Sequence, residues 1–295
     1  MIRYSPIAGS WYPADPESLK ETINELFLDK KFGPGYDPKE EKRNCNDHLV
    51  GIGVPHAGYF FSGAVAAHSY AHLFNHLPQI DSAIIFGPNH QFGYPSISIF
   101  PEGHWELPLG NAEIDTELVE FAEQYENSTF HEVVQFEAES QRYEHSIEIQ
   151  IPFLQYLYGS KFKILPICFG NQDFNQTGKI ISQFVYDLLM EFQDRRIAVL
   201  ASSDLSHEPD IKLLENNDRT MLKLLEENRL EDAIQFRQQV GMTMCGYGPV
   251  FTLANLTRKF GTPKNKVLKY AHSSEIRPKH RGPYTVGYPS LAFEF

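Results

Sequence analysis

The 295-residue sequence predicts an α/β protein with a central mixed, mostly parallel sheet between two layers of helices. Short apolar runs alternate along the chain with longer segments of helical period, which is the pattern of βαβ units. The apolar runs contain few polar residues, so helices are expected to cover both faces of most strands. We therefore predict one three-layer domain that spans residues 1–295.

The first half of the chain supplies three predicted strands and three predicted helices. The runs HLVGIGV, SAIIFG and SISIF are apolar almost throughout and have strand length, which predicts strands at residues 48–54, 82–87 and 96–100. Longer segments with helical period predict helices at residues 62–77, 115–125 and 145–159. The polar stretch at residues 29–47, rich in Gly, Pro and charge, is predicted to be a surface loop.

The second half continues the alternation and then closes with two adjacent strands. Residues 161–170 and 195–202 are apolar runs that predict strands, and residues 174–193 between them predict a helix. Several helical segments are predicted between about 210 and 258. Strands are predicted at the end of the chain, at residues 266–273 and 285–295. Because the stretch between them is short and rich in turn residues, this last pair is expected to make the sheet mixed.

Composition and charge exclude several classes of protein. The net charge of −12 would repel a phosphate backbone, so nucleic acid is excluded as a ligand. No apolar run approaches the roughly 18 residues that a membrane span needs, and the N-terminal region lacks the apolar block of a secretory signal. We therefore expect a soluble, cytoplasmic protein. Three widely spaced cysteines without a CxxC pair predict neither a disulfide framework nor a cysteine-rich zinc site.

Histidines follow three of the predicted buried strands. His56 comes after the first strand, His90 comes after the second, and Asp204 and His207 come after the strand at residues 195–202. The carboxyl ends of parallel strands meet at one edge of an open sheet, which is where ligands bind in such folds. These side chains are therefore expected to share one crevice.

His56 and His90 suit metal ligation, because each sits in a short turn that restricts the side chain before binding. The third ligand should be an anion, and Cys245 lies among small and turn residues just before a predicted helix start at Pro249. A helix N-terminus and a metal ion would both favour the thiolate. The alternative is that Cys245 is a small buried hydrophobic residue. Cys45 lies in the charged loop and Cys168 inside a strand, so both are weaker candidates.

Two further groups of histidines have competing interpretations. His68, His72 and His76 share one helical face, but no carboxylate lies between them in sequence, so we predict a structural or surface role. His145 and Glu148 lie three residues apart on a predicted helix and would act as acid and base or as ligand and orienting group. The competing interpretation for Glu148 is a cap at an exposed helix N-terminus, together with Ser146.

Six motifs cover nearly the whole chain and resemble, in order and spacing, those of the Memo family: AGSWYP, PHAGYFFSG, GPNH, EHSIEIQIPFLQ, SSDLSH and CGYGP. That family is similar to the class III extradiol ring-cleaving dioxygenases, which are non-haem iron enzymes with a mixed α/β sheet. The resemblance implies that His56, His90 and Cys245 are metal ligands. It also implies that His207 is an acid/base histidine, with Asp204 and His145 in the same pocket.

The resemblance further implies Fe(II) as the metal, a small-molecule substrate, and association with radical-SAM and AMMECR-type proteins. Ring-cleaving enzymes hold iron with two histidines and one carboxylate, whereas this chain offers a cysteine. A thiolate changes the electronics of iron, can be oxidised, and also suits Cu(I) or Zn(II), so ring cleavage does not carry over. Glu148 and Asp204 are the alternative carboxylate ligands if Cys245 lies too far from the two histidines. The spacing of Asp204 and His207 predicts that the carboxylate fixes the tautomer of the imidazole.

Three functions follow from these observations. The first is a metal-dependent redox enzyme in which His207 transfers protons. The second is a binding module for a phosphopeptide or a protein partner in the same crevice, for which the scattered basic residues are Arg277, Lys279, His280 and Arg281. The third and weakest is a serine hydrolase built from Ser203, Asp204 and His207, which lie too close together in sequence and lack a G-x-S-x-G elbow.

Overall fold

The computed structural model describes residues 1–41, 49–91, 93–280 and 282–295. The strands of these residues are β1 (Ile2–Tyr4), β2 (Leu49–Val54), β3 (Ser82–Pro88), β4 (Ile97–Ile99), β5 (His104–Glu106), β6 (Ala112–Ile114), β7 (Val134–Phe136), β8 (Lys163–Phe169), β9 (Ile197–Ser202), β10 (His207–Glu208), β11 (Lys266–His272) and β12 (Thr285–Glu294). The α-helices are α1 (Pro16–Leu28), α2 (Tyr59–His76), α3 (Thr116–Glu123), α4 (Ser128–Val133), α5 (Ile151–Tyr158), α6 (Lys179–Glu191), α7 (Ile211–Glu226), α8 (Leu230–Val240), α9 (Tyr247–Phe260) and α10 (Ser273–Ile276).

The strands form one mixed sheet, whose main order is β1-β5-β6-β8-β3-β9-β2-β12-β10. Its centre, from β6 to β2, is parallel throughout. Beyond β2 the sheet continues through antiparallel pairs of β12 with β2, β11 and β10. The predicted mixed, mostly parallel sheet is therefore confirmed, including the antiparallel pairing of the last two long strands.

Two groups of helices cover the sheet. One group consists of α1, α2 and α5, which pack against one another, and α2 also packs on β2 and β12. The other group includes α6 and α9, and α9 packs on β2, β3 and β9. The central strands are buried along almost their whole length, which agrees with their continuously apolar sequences. Within the described residues, no helix is long and apolar enough to cross a bilayer.

The predicted helix at residues 145–159 is shorter than its apolar pattern indicated. A single 3₁₀ turn at Glu148–Gln150 leads into α5, which begins at Ile151. Pro152 occupies the first turn of α5, where its missing N–H costs nothing, whereas it would disrupt the interior of a helix that began at His145. His145 and Glu148 therefore do not share a helix face, and that part of the prediction is wrong.

Glu148 lies in a buried ion pair with the N-terminal strand. Its carboxylate accepts hydrogen bonds from the guanidinium of Arg3, the hydroxyl of Ser5 and the hydroxyl of Tyr12. Arg3 also donates to the backbone carbonyl oxygens of Gln141 and Glu144. These contacts fix β1 to the segment that precedes α5. Glu148 is thus not an exposed helix cap, and its carboxylate is absent from the groups of close metal-binding side chains found in the described residues.

Candidate metal centre

The predicted site residues converge at the carboxyl edge of the sheet. β3, β9 and β2 are neighbours in the parallel centre, and each is followed by a polar residue of the predicted site. His56 lies two residues beyond β2, His90 two residues beyond β3, and Asp204 two residues beyond β9. Cys245 approaches the same edge from the segment that precedes α9. Each of His56, His90 and Cys245 offers one ligand atom, and these three atoms all lie within 4.8 Å of one another.

The imidazole of His56 is buried and its tautomer is fixed. Its Nδ1 lies 2.9 Å from the hydroxyl oxygen of Ser202, which donates its single hydrogen to the carbonyl oxygen of Ser146. Nδ1 must therefore be the donor to Ser202, which leaves the lone pair of Nε2 free. That Nε2 faces the sulfur of Cys245 at 3.0 Å. Burial, followed by the nearby imidazole of His90, lowers the pKa of His56 well below its ordinary value, so the ring is neutral at pH 7.

His90 is held in the same manner by a carboxylate that the sequence patterns did not single out. Glu144 accepts a hydrogen bond from the Nδ1 of His90 at 2.9 Å and another from its backbone N–H at 2.6 Å. Because a carboxylate can only accept, Nδ1 carries the proton and Nε2 is free to bind a metal. The backbone N–H groups of His145 and Ser146 also donate to Glu144. This is the outer-shell arrangement of carboxylate and histidine that is typical of metal sites.

Electrostatics keep Glu144 ionised. Burial by itself raises the pKa of Glu144, but the hydrogen bonds and charge of His90 outweigh that effect and lower the pKa to about 2. The adjacent position of Glu144 and His145 in the motif EHSIEIQIPFLQ was the only sequence signal for this role. No pattern in the sequence indicated that the carboxylate turns back to the backbone N–H groups of His145 and Ser146 while it also accepts the backbone N–H of His90.

The chain geometry around Cys245 brings the sulfur to the end of β9. Gly246 follows it, and a Cβ at that position would lie 2.2 Å from the carbonyl oxygen of Ser202, so only glycine permits this approach. The backbone N–H of Asp204 donates to the sulfur at 3.3 Å. Burial, and then the charge of Asp204, raise the pKa of the Cys245 thiol well above its ordinary value. A bound cation would oppose both effects and favour the thiolate.

The donor set fits a transition metal ion. Typical bonds of about 2.0–2.1 Å to imidazole nitrogen and about 2.3 Å to sulfur place tetrahedral ligand atoms roughly 3.3–3.8 Å apart. The spacing of the three donor atoms, all within 4.8 Å, requires only small side-chain adjustments to reach that geometry. Both imidazoles present Nε2 because their Nδ1 atoms are occupied. His56, His90 and Cys245 therefore form a group of side chains that could hold such an ion.

Asp204 and His207 are close to this centre, but not in the predicted pairing. The Nδ1 of His207 lies 3.1 Å from the carbonyl oxygens of both Leu205 and Thr243, whereas the carboxylate of Asp204 accepts the backbone N–H of His56 at 2.8 Å. The prediction that Asp204 fixes the tautomer of His207 is wrong, because pairing of β10 with β12 directs the ring towards the two carbonyl groups. Burial raises the pKa of Asp204 to about 6, although the charge of His207 opposes the shift.

The ring of His145 lies between those of His90 and Trp11 at the edge of the centre. Its ring centroid lies 4.5 Å from that of His90, with an angle of 22° between the planes, and 4.3 Å from that of Trp11. Burial lowers the pKa of His145 to about 4, so this imidazole is neutral at pH 7. His145 lies on the wall of the cavity beside the centre, where it can contact a ligand. This agrees with its predicted position in the pocket.

A cavity of roughly 520 Å³ opens beside these residues. His56, His90, His145, Asp204 and His207 all lie on its wall. The rest of the wall is largely aromatic and includes Trp11, Phe60, Phe61, Tyr284 and Tyr288. Its volume and lining suit a small molecule with apolar or aromatic parts.

The remaining candidate residues lie elsewhere or outside the described residues. Ser203 donates its hydroxyl hydrogen to the carbonyl oxygen of Asp204 and accepts the backbone N–H of Gly246, an arrangement unlike that of a serine nucleophile beside its base. Cys168 is buried within β8. Cys45 and Arg281 lie outside the described residues.

Comparison with known proteins agrees with this arrangement of motifs. A family model described as Memo-like protein matches residues 3–292. The chain belongs to the Memo family. A MEMO1 family protein of Saccharolobus solfataricus is 36% identical over 295 residues, which is 99% of each chain. A MEMO1 family protein of Methanobrevibacter smithii is 37% identical over 299 residues and matches over the full length of both chains. The predicted family is confirmed.

The role of Glu144 in this Memo-family chain leads to the first testable prediction. Glu144→Gln is expected to lower the affinity for the bound metal about 10–100-fold, because the amide cannot accept all of the hydrogen bonds that orient His90. Chelator competition on the purified variant measures this loss. Glu139→Gln is the matched control, since the side chain of Glu139 is 78% exposed. Equal affinities of Glu144→Gln and the wild type would contradict an orienting role for Glu144.

Proposed function

We propose that this protein is a metal-dependent redox enzyme that acts on a small molecule at the centre formed by His56, His90 and Cys245. One observation carries the proposal: two imidazoles on the wall of a ligand-sized cavity have fixed tautomers and present Nε2 towards the half-buried sulfur of Cys245. A purely structural metal site would have little need for such a cavity. A site with three protein ligands also leaves a position open for a ligand, as catalytic metal sites do.

Iron is the proposed metal, with copper and zinc as the alternatives that a thiolate also suits. Bound iron would supply one-electron redox chemistry. The similarity of the family to non-haem iron enzymes supports iron, whereas the cysteine in place of a carboxylate argues against direct transfer of the ring-cleaving reaction. The class of substrate is therefore inferred from the size and the aromatic lining of the cavity, and not from the substrates of the ring-cleaving enzymes.

Other residues around the cavity would bind the substrate, transfer protons and position His56. The aromatic wall, with Trp11 and Phe60, would bind the apolar part of the substrate and exclude water. His207 holds a proton on Nδ1 between two carbonyl oxygens, so its Nε2 is the nitrogen available to accept or donate a proton. The carboxylate of Asp204 would position His56 through the backbone N–H. His145, neutral at pH 7, would hydrogen-bond the substrate.

The test of this proposal starts with protein purified without oxygen or chelating resin. Its metal content is measured first, and oxygen consumption is then screened with catechols and with thiols. We expect bound iron and metal-dependent oxygen consumption with at least one of the two substrate classes. Metal-loaded protein that consumes no oxygen with any member of either class, although the compounds bind in the cavity, would contradict the proposal and favour a binding function.

The role of His207 gives the second testable prediction. His207→Ala is expected to retain the metal but to lose about 10²–10⁴-fold in turnover, because a positioned general acid or base typically contributes that much. Metal content, melting temperature and turnover are measured on the same preparation. Loss of the metal would make His207 a ligand, and unchanged turnover would make it a structural residue.

Binding without turnover is the alternative function, and one observation favours it. His280 lines the same cavity, and Arg277 lies with its guanidinium 3.9 Å above the ring of Phe60 at the wall. These two basic side chains would attract a ligand with an anionic group, such as a phosphopeptide. Association with radical-SAM and AMMECR-type proteins is likewise a proposal, and copurification from the native host tests it.

A further inference from the structure

A second cluster of metal-binding side chains lies at the far end of α2. His72 and His76 occupy successive turns of the helix, with ring centroids 4.2 Å apart. The Nε2 of His72 lies 2.8 Å from a carboxylate oxygen of Glu294, which belongs to β12. Each of His72, His76 and Glu294 offers one ligand atom, and these three atoms all lie within 4.8 Å of one another. The carboxylate that is missing from the helix sequence is therefore supplied by the last strand.

This cluster is separate from the centre at His56. Glu294 pairs with Leu49 at the start of β2, whereas His56 follows the end of the same strand. His72 also lies 13 residues into α2, which corresponds to roughly 20 Å along the helix axis at about 1.5 Å per residue. The two groups of ligands thus lie at opposite ends of the sheet.

We propose that His72, His76 and Glu294 form a second, accessory site for a divalent transition ion, with Zn²⁺ as its representative. Two histidines at i and i+4 on one helix face, completed by a carboxylate, are a recurring zinc-binding arrangement. The Nδ1 of His76 donates to the carbonyl oxygen of His72 at 2.8 Å, so its Nε2 is free in the neutral ring. At His72, the neutral ring binds the ion as its Nδ1–H tautomer: the ring proton passes from Nε2 to Nδ1, and the ion takes the place of the hydrogen bond between Nε2 and Glu294.

The surroundings of the cluster favour a cation and hold the carboxylate in place. The site lies at the C-terminal end of α2, where the partial negative charge of the helix attracts cations. Glu294 is buried, and its second carboxylate oxygen accepts a hydrogen bond from Lys266 at 2.7 Å. Lys266 therefore orients the carboxylate from the outside and leaves one oxygen for the ion, although its charge opposes binding. An ion at this site would link α2 to β12, because its ligands come from both elements.

Zinc titration with a chromophoric chelator tests the proposal on the full chain. The wild type is expected to bind about one more Zn²⁺ than His76→Ala or His72→Ala binds. Any Zn²⁺ that the two remaining ligands still hold in a variant should bind at least tenfold more weakly. His76→Ala is the safer variant, because the hydrogen bond that it removes, from Nδ1 of His76 to the carbonyl oxygen of His72, lies within one helix. His68→Ala is the matched control, since His68 lies one turn earlier and faces the carbonyl oxygen of Phe32.

The comparison is repeated in a Cys245→Ser background, so that failure of the centre at His56 does not affect the result. The extra equivalent should persist there, and added Zn²⁺ should raise the melting temperature in a manner that His76→Ala abolishes. Equal zinc stoichiometry and affinity in the wild type and His76→Ala would overturn the proposal. Equal loss in His68→Ala and His76→Ala would overturn it as well, because it would locate the ion elsewhere on the helix.

Discussion

His56→Ala is expected to reduce the transition metal bound per chain from about one ion to almost none, because it removes one of the three proposed protein ligands. Hydrogen bonds to both Nδ1 and the backbone N–H hold His56 in position, and the same two groups of His90 are held by Glu144. His90→Ala should have the same effect. The measurement is elemental analysis of protein that has been purified without oxygen and passed through a desalting column.

The control for this prediction is His131→Ala. His131 is exposed, and its ring contacts the carbonyl oxygen of Tyr125 and the ring of Phe130, so its removal should leave the metal content unchanged. Full metal occupancy in both His56→Ala and His90→Ala would show that the principal metal site lies elsewhere. Equal melting temperatures of the variants and the metal-free wild type would exclude unfolding as the reason for metal loss.

Arg3→Met is expected to lower the free energy of unfolding by about 3–5 kcal/mol, because it leaves the buried carboxylate of Glu148 without its cation. Arg3 is itself buried and also lies with its guanidinium 3.9 Å above the ring of Trp105. Its hydrogen bond to the carbonyl oxygen of Glu144 links the ion pair to the segment that orients His90. Urea denaturation monitored by fluorescence measures the loss.

Two further variants identify the cause of that loss. The double variant Arg3→Met/Glu148→Gln should recover part of the stability, since it no longer leaves an unpaired charge in the interior. Lys20→Met removes an exposed ion pair with Glu17 and should change the stability by at most about 1 kcal/mol. A loss below about 1 kcal/mol in Arg3→Met would contradict the account of this buried pair.

The ends of the parallel strands were the part of the site that the sequence could predict. β2, β3 and β9 have long apolar sequences, and the rule that their carboxyl ends meet at one edge was enough to group His56, His90 and Asp204. The position of Cys245 depended in addition on the family resemblance, because a single cysteine before a helix has no distinctive pattern. Short strands such as β1 were missed, since three residues carry no periodicity.

The sequence could not predict contacts between residues that are far apart along the chain, or contacts that depend on the conformation of a tight turn. Arg3 and Glu148 are 145 residues apart, and nothing in the local pattern of either residue indicates the other. Glu144 acts through a turn that returns its carboxylate to nearby backbone N–H groups, which residue spacing does not reveal. The spacing of Asp204 and His207 indicated a mutual hydrogen bond, but strand pairing and not local spacing decides where His207 points.

X-ray absorption spectroscopy at the edge of the bound metal tests most directly the central claim that His56, His90 and Cys245 hold one ion. The wild type should show one sulfur neighbour at about 2.3 Å together with nitrogen neighbours at about 2.0–2.1 Å. Cys245→Ser should lose the sulfur contribution and keep the nitrogen contribution of the imidazoles. A wild-type spectrum with nitrogen and oxygen neighbours alone, or a sulfur neighbour that persists in Cys245→Ser, would contradict the claim.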